Sequence, residues 1–266
     1  MQFKLTLFTI AATAALAGPS PADAREASLS PAPEPPTAES ERAPQTAIAA
    51  RADPGSVVRL SDERTETVAA HVSRVTAIRA RPNSSAARRG QLRRFTYFGS
   101  REVVLVLAWT TDARGGVWAR IRYSGLGRRR GWVRMDALTS FTVVRTLLVI
   151  DRGRRRIRLY RRGRAVLSAP VGVGAAQSPT PSGRYFVRER LEPESSNGIY
   201  GALAFGTSAY SRYRTDWPGG GQVGVHGTNQ PHLIPGRISN GCVRLRNRAV
   251  RRLDRLAPVG TPILIK

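Results

Sequence analysis

Val143-Val144-Arg145-Thr146-Leu147-Leu148-Val149-Ile150-Asp151 is followed by Arg152-Gly153, Ile157-Arg158-Leu159-Tyr160, Arg162-Gly163 and Ala165-Val166-Leu167. Apolar residues alternate with charged or polar ones, and a glycine marks each turn. Period two between glycine turns is the signature of strands joined as hairpins. The stretch therefore predicts two consecutive β-hairpins and, with them, a mainly β fold.

Downstream, Val171-Gly172-Val173-Gly174 reads as a loop, and Pro179-Thr180-Pro181-Ser182-Gly183 leads into a strand at Arg184–Val187. Pro193–Gly221, rich in Gly, Ser and Tyr, suits a long covering loop, with Tyr200, Tyr210 and Trp217 as candidates for a substrate lid or for packing. Asn247 is placed to cap a short helix with Val250, Leu253, Leu256 and Ala257 on its apolar face, ended by Pro258. Ile263-Leu264-Ile265 closes the chain as a strand.

Upstream, short apolar runs recur at Val75–Ile78, Arg94-Phe95-Thr96-Tyr97-Phe98, Glu102–Trp109, Val117–Tyr123 and Gly131–Arg134. Turn chemistry such as Pro82-Asn83-Ser84 and Asp112-Ala113-Arg114-Gly115-Gly116 separates them. Evenly spaced short strands predict a small barrel or sandwich over 68–142. Its end, Trp118, Gly131-Trp132-Val133 and Asp136-Ala137-Leu138, resembles bacterial SH3-like repeats, which implies a wall-attachment or substrate-positioning module. A weakly amphipathic helix is expected around Ser61–Ala70.

The N-terminus has a charged start at Lys4, an apolar run from Leu5 to Ala17, and small-residue exits at Ala15-Leu16-Ala17 and Ala22-Asp23-Ala24. That is the layout of a secretory signal over 1–24, with an apolar core shorter than the roughly 20 residues a spanning helix needs. No transmembrane segment is expected once the signal is cleaved. Residues 25–67 read as a proline-rich disordered linker: eight of the 18 prolines fall between Gly18 and Pro54, among few large apolar side chains. Such a segment buries too little surface to offset its ordering entropy. The destination is outside the cytoplasmic membrane: periplasm, cell wall or extracellular space.

The formal net charge is +25, and 41 of the 43 basic residues are arginine. Residues 68–266 hold 37 basic side chains against nine acids. A field of that sign attracts polyanions. For an exported chain the expected polyanions are anionic wall polymers, and nucleic acid is not an expected partner.

Export also makes the cysteine count informative, because oxidising compartments favour paired thiols. Cys242 is the only cysteine, so no internal disulfide can form. It stands in Ser239-Asn240-Gly241-Cys242-Val243-Arg244, sixteen positions after the histidine of His226-Gly227-Thr228-Asn229. A free thiol of pKa about 8.5 is mostly protonated at neutral pH and needs a base to become a nucleophile. An imidazole supplies one once its other nitrogen is held. Gly241 lets backbone approach closely, and adjacent N–H groups suit a developing oxyanion. The bland reading of a lone cysteine is a small buried hydrophobe. His71 reads as incidental and His232 as a loop residue near the cleft, and three histidines with one cysteine at these spacings make no zinc template.

His-Gly-Thr-Asn followed by Ser-Asn-Gly-Cys-Val-Arg-Leu resembles the signature of the L,D-transpeptidase catalytic domain of the YkuD type, and the likeness extends over 143–266. It implies a β-sandwich-like catalytic domain with one or two short helices, acting on peptidoglycan stem peptides without a metal or other cofactor; separately, a monomer is expected. It implies Cys242 as nucleophile, His226 as proton donor and acceptor, and the Gly227 carbonyl as the group orienting His226. Ser239, Asn240, Gly241 and Arg244 fall on the remaining oxyanion and substrate-binding positions of the motif, with an oxyanion role for the Asn240–Cys242 backbone and a structural or substrate-anchoring one for Arg244. Asn240 stands where the family often has a second histidine. Two other readings remain: an L,D-carboxypeptidase using water as acceptor, and a non-catalytic wall-binding protein.

Overall fold

The computed structural model describes residues 28–33, 40–42, 55–126, 129–213, 215 and 219–266. The expected signal over 1–24, most of the proline-rich stretch and Trp217 lie outside the described residues. Among the described residues no helix is long and apolar enough to cross a membrane. The fold is mainly β, as the alternation in 143–167 predicts, and consists of two curled sheets.

The strands up to residue 144 are β1 (Leu29–Pro31), β2 (Ser40–Arg42), β3 (Val58–Arg59), β4 (Thr67–Val72), β5 (Thr76–Arg79), β6 (Arg88–Leu92), β7 (Val103–Thr111), β8 (Val117–Arg122), β9 (Arg130–Arg134) and β10 (Leu138–Val144). All but β1 form the first sheet, in the order β2-β10-β4-β7-β8-β9-β5-β6, with β3 on β7. The helix expected around Ser61–Ala70 is instead a turn and a strand. The Asp62 carboxylate accepts N–H bonds from Arg64, Thr65 and Glu66, which closes the turn, and Val68, Ala69, Ala70 and Val72 of β4 are all buried. Arg94–Phe98 is not a strand either. It belongs to a loop with one isolated bridge, Phe95 to Arg101, and leaves Phe95 and Tyr97 exposed.

The second sheet holds β11 (Thr146–Asp151), β12 (Arg156–Arg161), β13 (Arg164–Pro170), β14 (Gly172–Gly174), β15 (Gly183–Pro193), β16 (Ala204–Tyr210), β17 (Gln222–His226), β18 (Gly236–Ser239), β19 (Val243–Arg244) and β20 (Pro262–Ile265). Its order is β13-β12-β11-β20-β15-β16-β17-β19-β14-β18. The hairpins β11–β12 and β12–β13 are the two expected ones. The closing strand β20 inserts parallel to β11 and antiparallel to β15, so the C-terminus lies mid-sheet. Two expectations need correction. Val171–Gly174 contains β14 rather than a loop, and the supposed covering loop Pro193–Gly221 contains β16, which pairs with β15 and β17. Within the proline-rich stretch, Leu29–Pro31 pairs antiparallel with Leu191–Pro193, and Ser40–Arg42 pairs with β10.

Strand β7 ties the sheets together because its two faces serve two cores. Val104 and Val106 point into the first sheet's own core with Val72, Ile78, Ile121 and Phe141. Val103, Leu105 and Leu107 point the other way and, with Ala69 and Val144, enclose Phe186 of β15. Burying a side chain of that size contributes roughly 1.5–3 kcal/mol. Around this contact Arg188 of β15 makes a two-pronged ion pair with Glu102, both buried, and donates to the Tyr210 hydroxyl at 3.0 Å. Charges this deep persist only when paired and hydrogen-bonded.

Candidate active site

Strands β17 and β19 run parallel with Val225 opposite Val243 and His226 opposite Arg244. That register sets Cys242, one residue before β19, beside Gly224. The Gly224 N–H donates to Cys242 Sγ at 3.3 Å. Residues two apart on a strand share a face, so Gly224 and His226 present the same side to the thiol. A Cβ on Gly224 would stand 3.5 Å from His226 Cδ2 and 3.7 Å from Cys242 Sγ. The missing side chain is what leaves the imidazole and the thiol facing one common space.

His226 is 3% exposed, and its Nδ1 donates to the Gly227 carbonyl at 2.7 Å. That bond assigns the proton to Nδ1 and leaves Nε2 as the basic nitrogen. Tyr200 meets the ring edge-on, with centroids 5.1 Å apart. Burial, with the charge of Arg244 added, depresses the His226 pKa to about 3 against the smaller opposing effect of the Gly227 bond. Burial also raises the Cys242 thiol, partly offset by the Gly224 N–H and Arg244. Both shifts favour a neutral thiol beside a neutral imidazole.

The turn before the cysteine is fixed by two hydroxyls. Ser239 Oγ donates to the Cys242 carbonyl and accepts from Gly241 N–H at 3.2 Å. Ser178 Oγ donates to the Asn240 carbonyl at 2.9 Å. Gly241 has φ +118°, in the range that L side chains rarely adopt. Its N–H is therefore engaged by Ser239 in this conformation, and the serine acts by holding the turn. Asn240 is half-buried in the wall of the cleft.

Arg244 is 9% exposed and lines the same cleft. Its Nη1 reaches Gln230 Oε1 at 3.4 Å, its Nε has no partner, and no carboxylate pairs with it among the described residues. The cleft is lined by Tyr200, Ser211 and Val223 besides the residues already named. A second, smaller cavity also reaches Cys242 and His226, from the side of Leu29, Phe98 and Phe205. His232 is exposed on a short 3-10 turn and His71 lies on β4, both away from these linings.

Asn247 plays a part the sequence does not announce. The helix α1 (Asn247–Asp254) has Arg246 at its N-cap, with no side-chain capping bond. The Asn247 Oδ1 instead accepts from Ala202 N–H and Thr228 N–H, both at 3.1 Å. It thereby clamps the Tyr200–Ala202 turn to the loop that carries the Gly227 carbonyl. A side chain on Gly227 would collide with that oxygen. Gly224 and Ser178 are likewise missed by motif reading. The signal for Asn247 was its position just after the cysteine segment, where a polar side chain can reach back.

Among the described residues no group of three or more His, Cys, Asp or Glu side chains could hold a metal ion. The sequence model of the L,D-transpeptidase catalytic domain matches residues 145–265. A protein of Bacillus licheniformis assigned as L,D-transpeptidase YkuD is 34% identical over 111 residues, 42% of this chain and 59% of that one. Its counterpart in Bacillus subtilis is 27% identical over 118 residues, 44% of this chain and 64% of that one. The matches thus span about three fifths of these relatives. Among solved structures, an L,D-transpeptidase from Mycobacterium smegmatis covers 74% of this chain and 99% of its own, at 15% identity and a TM-score of 0.39.

Proposed function

We propose that the protein is an exported cysteine transpeptidase acting on peptidoglycan stem peptides, a reading supported by the match of the L,D-transpeptidase catalytic-domain model to residues 145–265 and by the similarity to the Bacillus relatives. The observation that carries the reading is the space shared by Cys242 Sγ and the His226 ring across Gly224, with His226 Nδ1 committed to Gly227.

The chemistry follows from the neutral pair. As Cys242 Sγ attacks the carbonyl carbon of the L,D bond of a donor stem tetrapeptide, its proton passes to His226 Nε2. His226 then acts as general acid and returns the proton to the leaving amine of the terminal D-alanine. The acyl group remains on sulfur as a thioester, to be passed to an amine of a second stem or, in the carboxypeptidase variant, to water. With Gly241 N–H held by Ser239, the Cys242 N–H is the donor assigned to the oxyanion in this reading. Arg244, buried without an acid, suits a carboxylate of the donor, because an unpaired buried cation gains most from a partner of opposite charge.

The first sheet, in its SH3-like reading, and the excess of arginine fit attachment to anionic wall material. Intact-mass analysis tests the central claim. The protein is incubated separately with a disaccharide tetrapeptide and with a carbapenem, and a covalent adduct is expected in each case and absent in Cys242→Ala. A folded protein that forms no adduct with either reagent refutes the enzyme reading and leaves the wall-binding one.

A further inference from the structure

The two cavities that meet at Cys242 differ in the charge behind their walls. The larger holds Arg244, buried and unpaired by any acid among the described residues. The smaller is walled by apolar groups, among them Leu29, Phe98, Leu191 and Phe205. Behind its Gly206 lies a carboxylate: Glu189 Oε1 sits 2.8 Å from where a Cβ on Gly206 would stand. Glu189 is 1% exposed. Its oxygens take neutral donors, the Thr96 hydroxyl at 2.6 Å and the Gln222 amide at 3.0 Å. The neighbouring Arg188 is engaged by Glu102, so these three buried groups carry one excess negative charge. Phe98 and Thr96 come from the loop over 94–101, part of the first sheet's sequence and outside the family match.

Resting on the reading above, in which Cys242 forms a thioester, we propose that this loop belongs to the acyl-acceptor site: Phe98 walls the second approach to Cys242, and Thr96 holds Glu189 where its charge draws an amine in preference to water. The occupant that fits is an aliphatic chain ending in a primary amine. Its methylenes suit the apolar wall, Glu189 attracts its cationic form, and Arg244 repels it from the larger cleft. Having lost one proton to water, the amine attacks the thioester carbonyl with its lone pair. The C–S bond breaks toward sulfur, and the proton shed by nitrogen passes through His226 Nε2 to the sulfur, leaving an amide and the free thiol.

The test is the partition of the thioester. Full-chain protein is incubated with disaccharide tetrapeptide, and cross-linked dimer and hydrolysed tripeptide are quantified by mass spectrometry. This ratio does not depend on how fast the thioester forms. Dimer over tripeptide is expected to fall about tenfold in Glu189→Gln and about threefold in Phe98→Ala and Thr96→Val. Phe98 is half-buried and lines the cavity, so Phe98→Ala carries the test should Glu189→Gln fail to fold. A ratio within twofold of the parent in every folded variant overturns the proposal while leaving the transpeptidase reading intact. A parent protein that forms no thioester overturns both.

Discussion

The backbone N–H of Gly224 points at the sulfur of Cys242 from 3.3 Å away, across two parallel strands. The contact depends on register, since Val225 lies opposite Val243, and on the absence of a side chain at 224. One glycine thus supplies a donor to the thiol and an opening for the imidazole.

Gly224→Ala should therefore slow acylation of Cys242 by a carbapenem by about 10–100-fold, since small misplacements of a reacting pair cost on that order. The new methyl would stand in ordinary contact with both groups, and alanine is tolerated better than glycine within a strand. Thermal stability should be kept or slightly raised. An unchanged acylation rate would mean that the space between the two side chains is not where the proton moves.

Acidification should leave acylation nearly flat from pH 7 down to about 4, because burial holds His226 at about 3. Folding stability should behave differently. Between about pH 6.5 and 3 the unfolded chain binds a proton at position 226 that the native state does not, so stability falls as pH falls through that window. His71, also lowered by burial, adds in the same direction. Urea denaturation at pH 7, 5 and 4 should show a loss on the order of a few kcal/mol, reduced in His226→Gln. A wild-type acylation profile with an acid limb near 6.5 would contradict the depressed imidazole.

Asn247→Ala removes one acceptor serving two part-buried loop amides, and a loss of about 1–3 kcal/mol is expected in denaturant unfolding. Acylation should slow as well, because the Gly227 carbonyl is then less firmly held. Asn247→Asp, which keeps the oxygen, should recover most of the rate. Were Asn247 only a helix residue, stability would change without any effect on rate.

Glu102→Gln leaves the Arg188 guanidinium buried without its carboxylate. Breaking one side of such a pair costs about 3–5 kcal/mol, measurable as a shift in the urea midpoint. A change under 1 kcal/mol would show that water or Glu189 compensates Arg188.

Both hairpins in 146–170 were readable because one face is buried and the other wet, which forces alternation. Strand β16 was not, because it is buried almost throughout and built of small and hydroxylic residues. Thr207 Oγ1 donates to the Val223 carbonyl at 2.6 Å, and Ser208 Oγ accepts from Phe186 N–H at 3.0 Å. Composition alone makes such a segment resemble a loop. Within the site, His226 and Cys242 were visible as rare residue types in a recognisable frame. Gly224, Ser178 and Asn247 were not, since each matters only through a partner that strand register or a long loop brings to it. Arg94–Phe98 misled in the opposite direction: its aromatics suggested a strand, but two of them face solvent and Thr96 turns inward to Glu189.

The two-faced strand β7 bears on how such a chain can be divided. Cutting the first sheet away would strip Phe186 of its enclosure by Val103, Leu105 and Leu107 and leave Arg188 without Glu102. The half carrying Cys242 would then expose a sticky apolar face with an orphaned cation beside it. The two halves are consequently not interchangeable cassettes. Recombination that grafts this half onto another partner must bring a replacement for β7, or resurface the Phe186 face, before the graft can stay soluble.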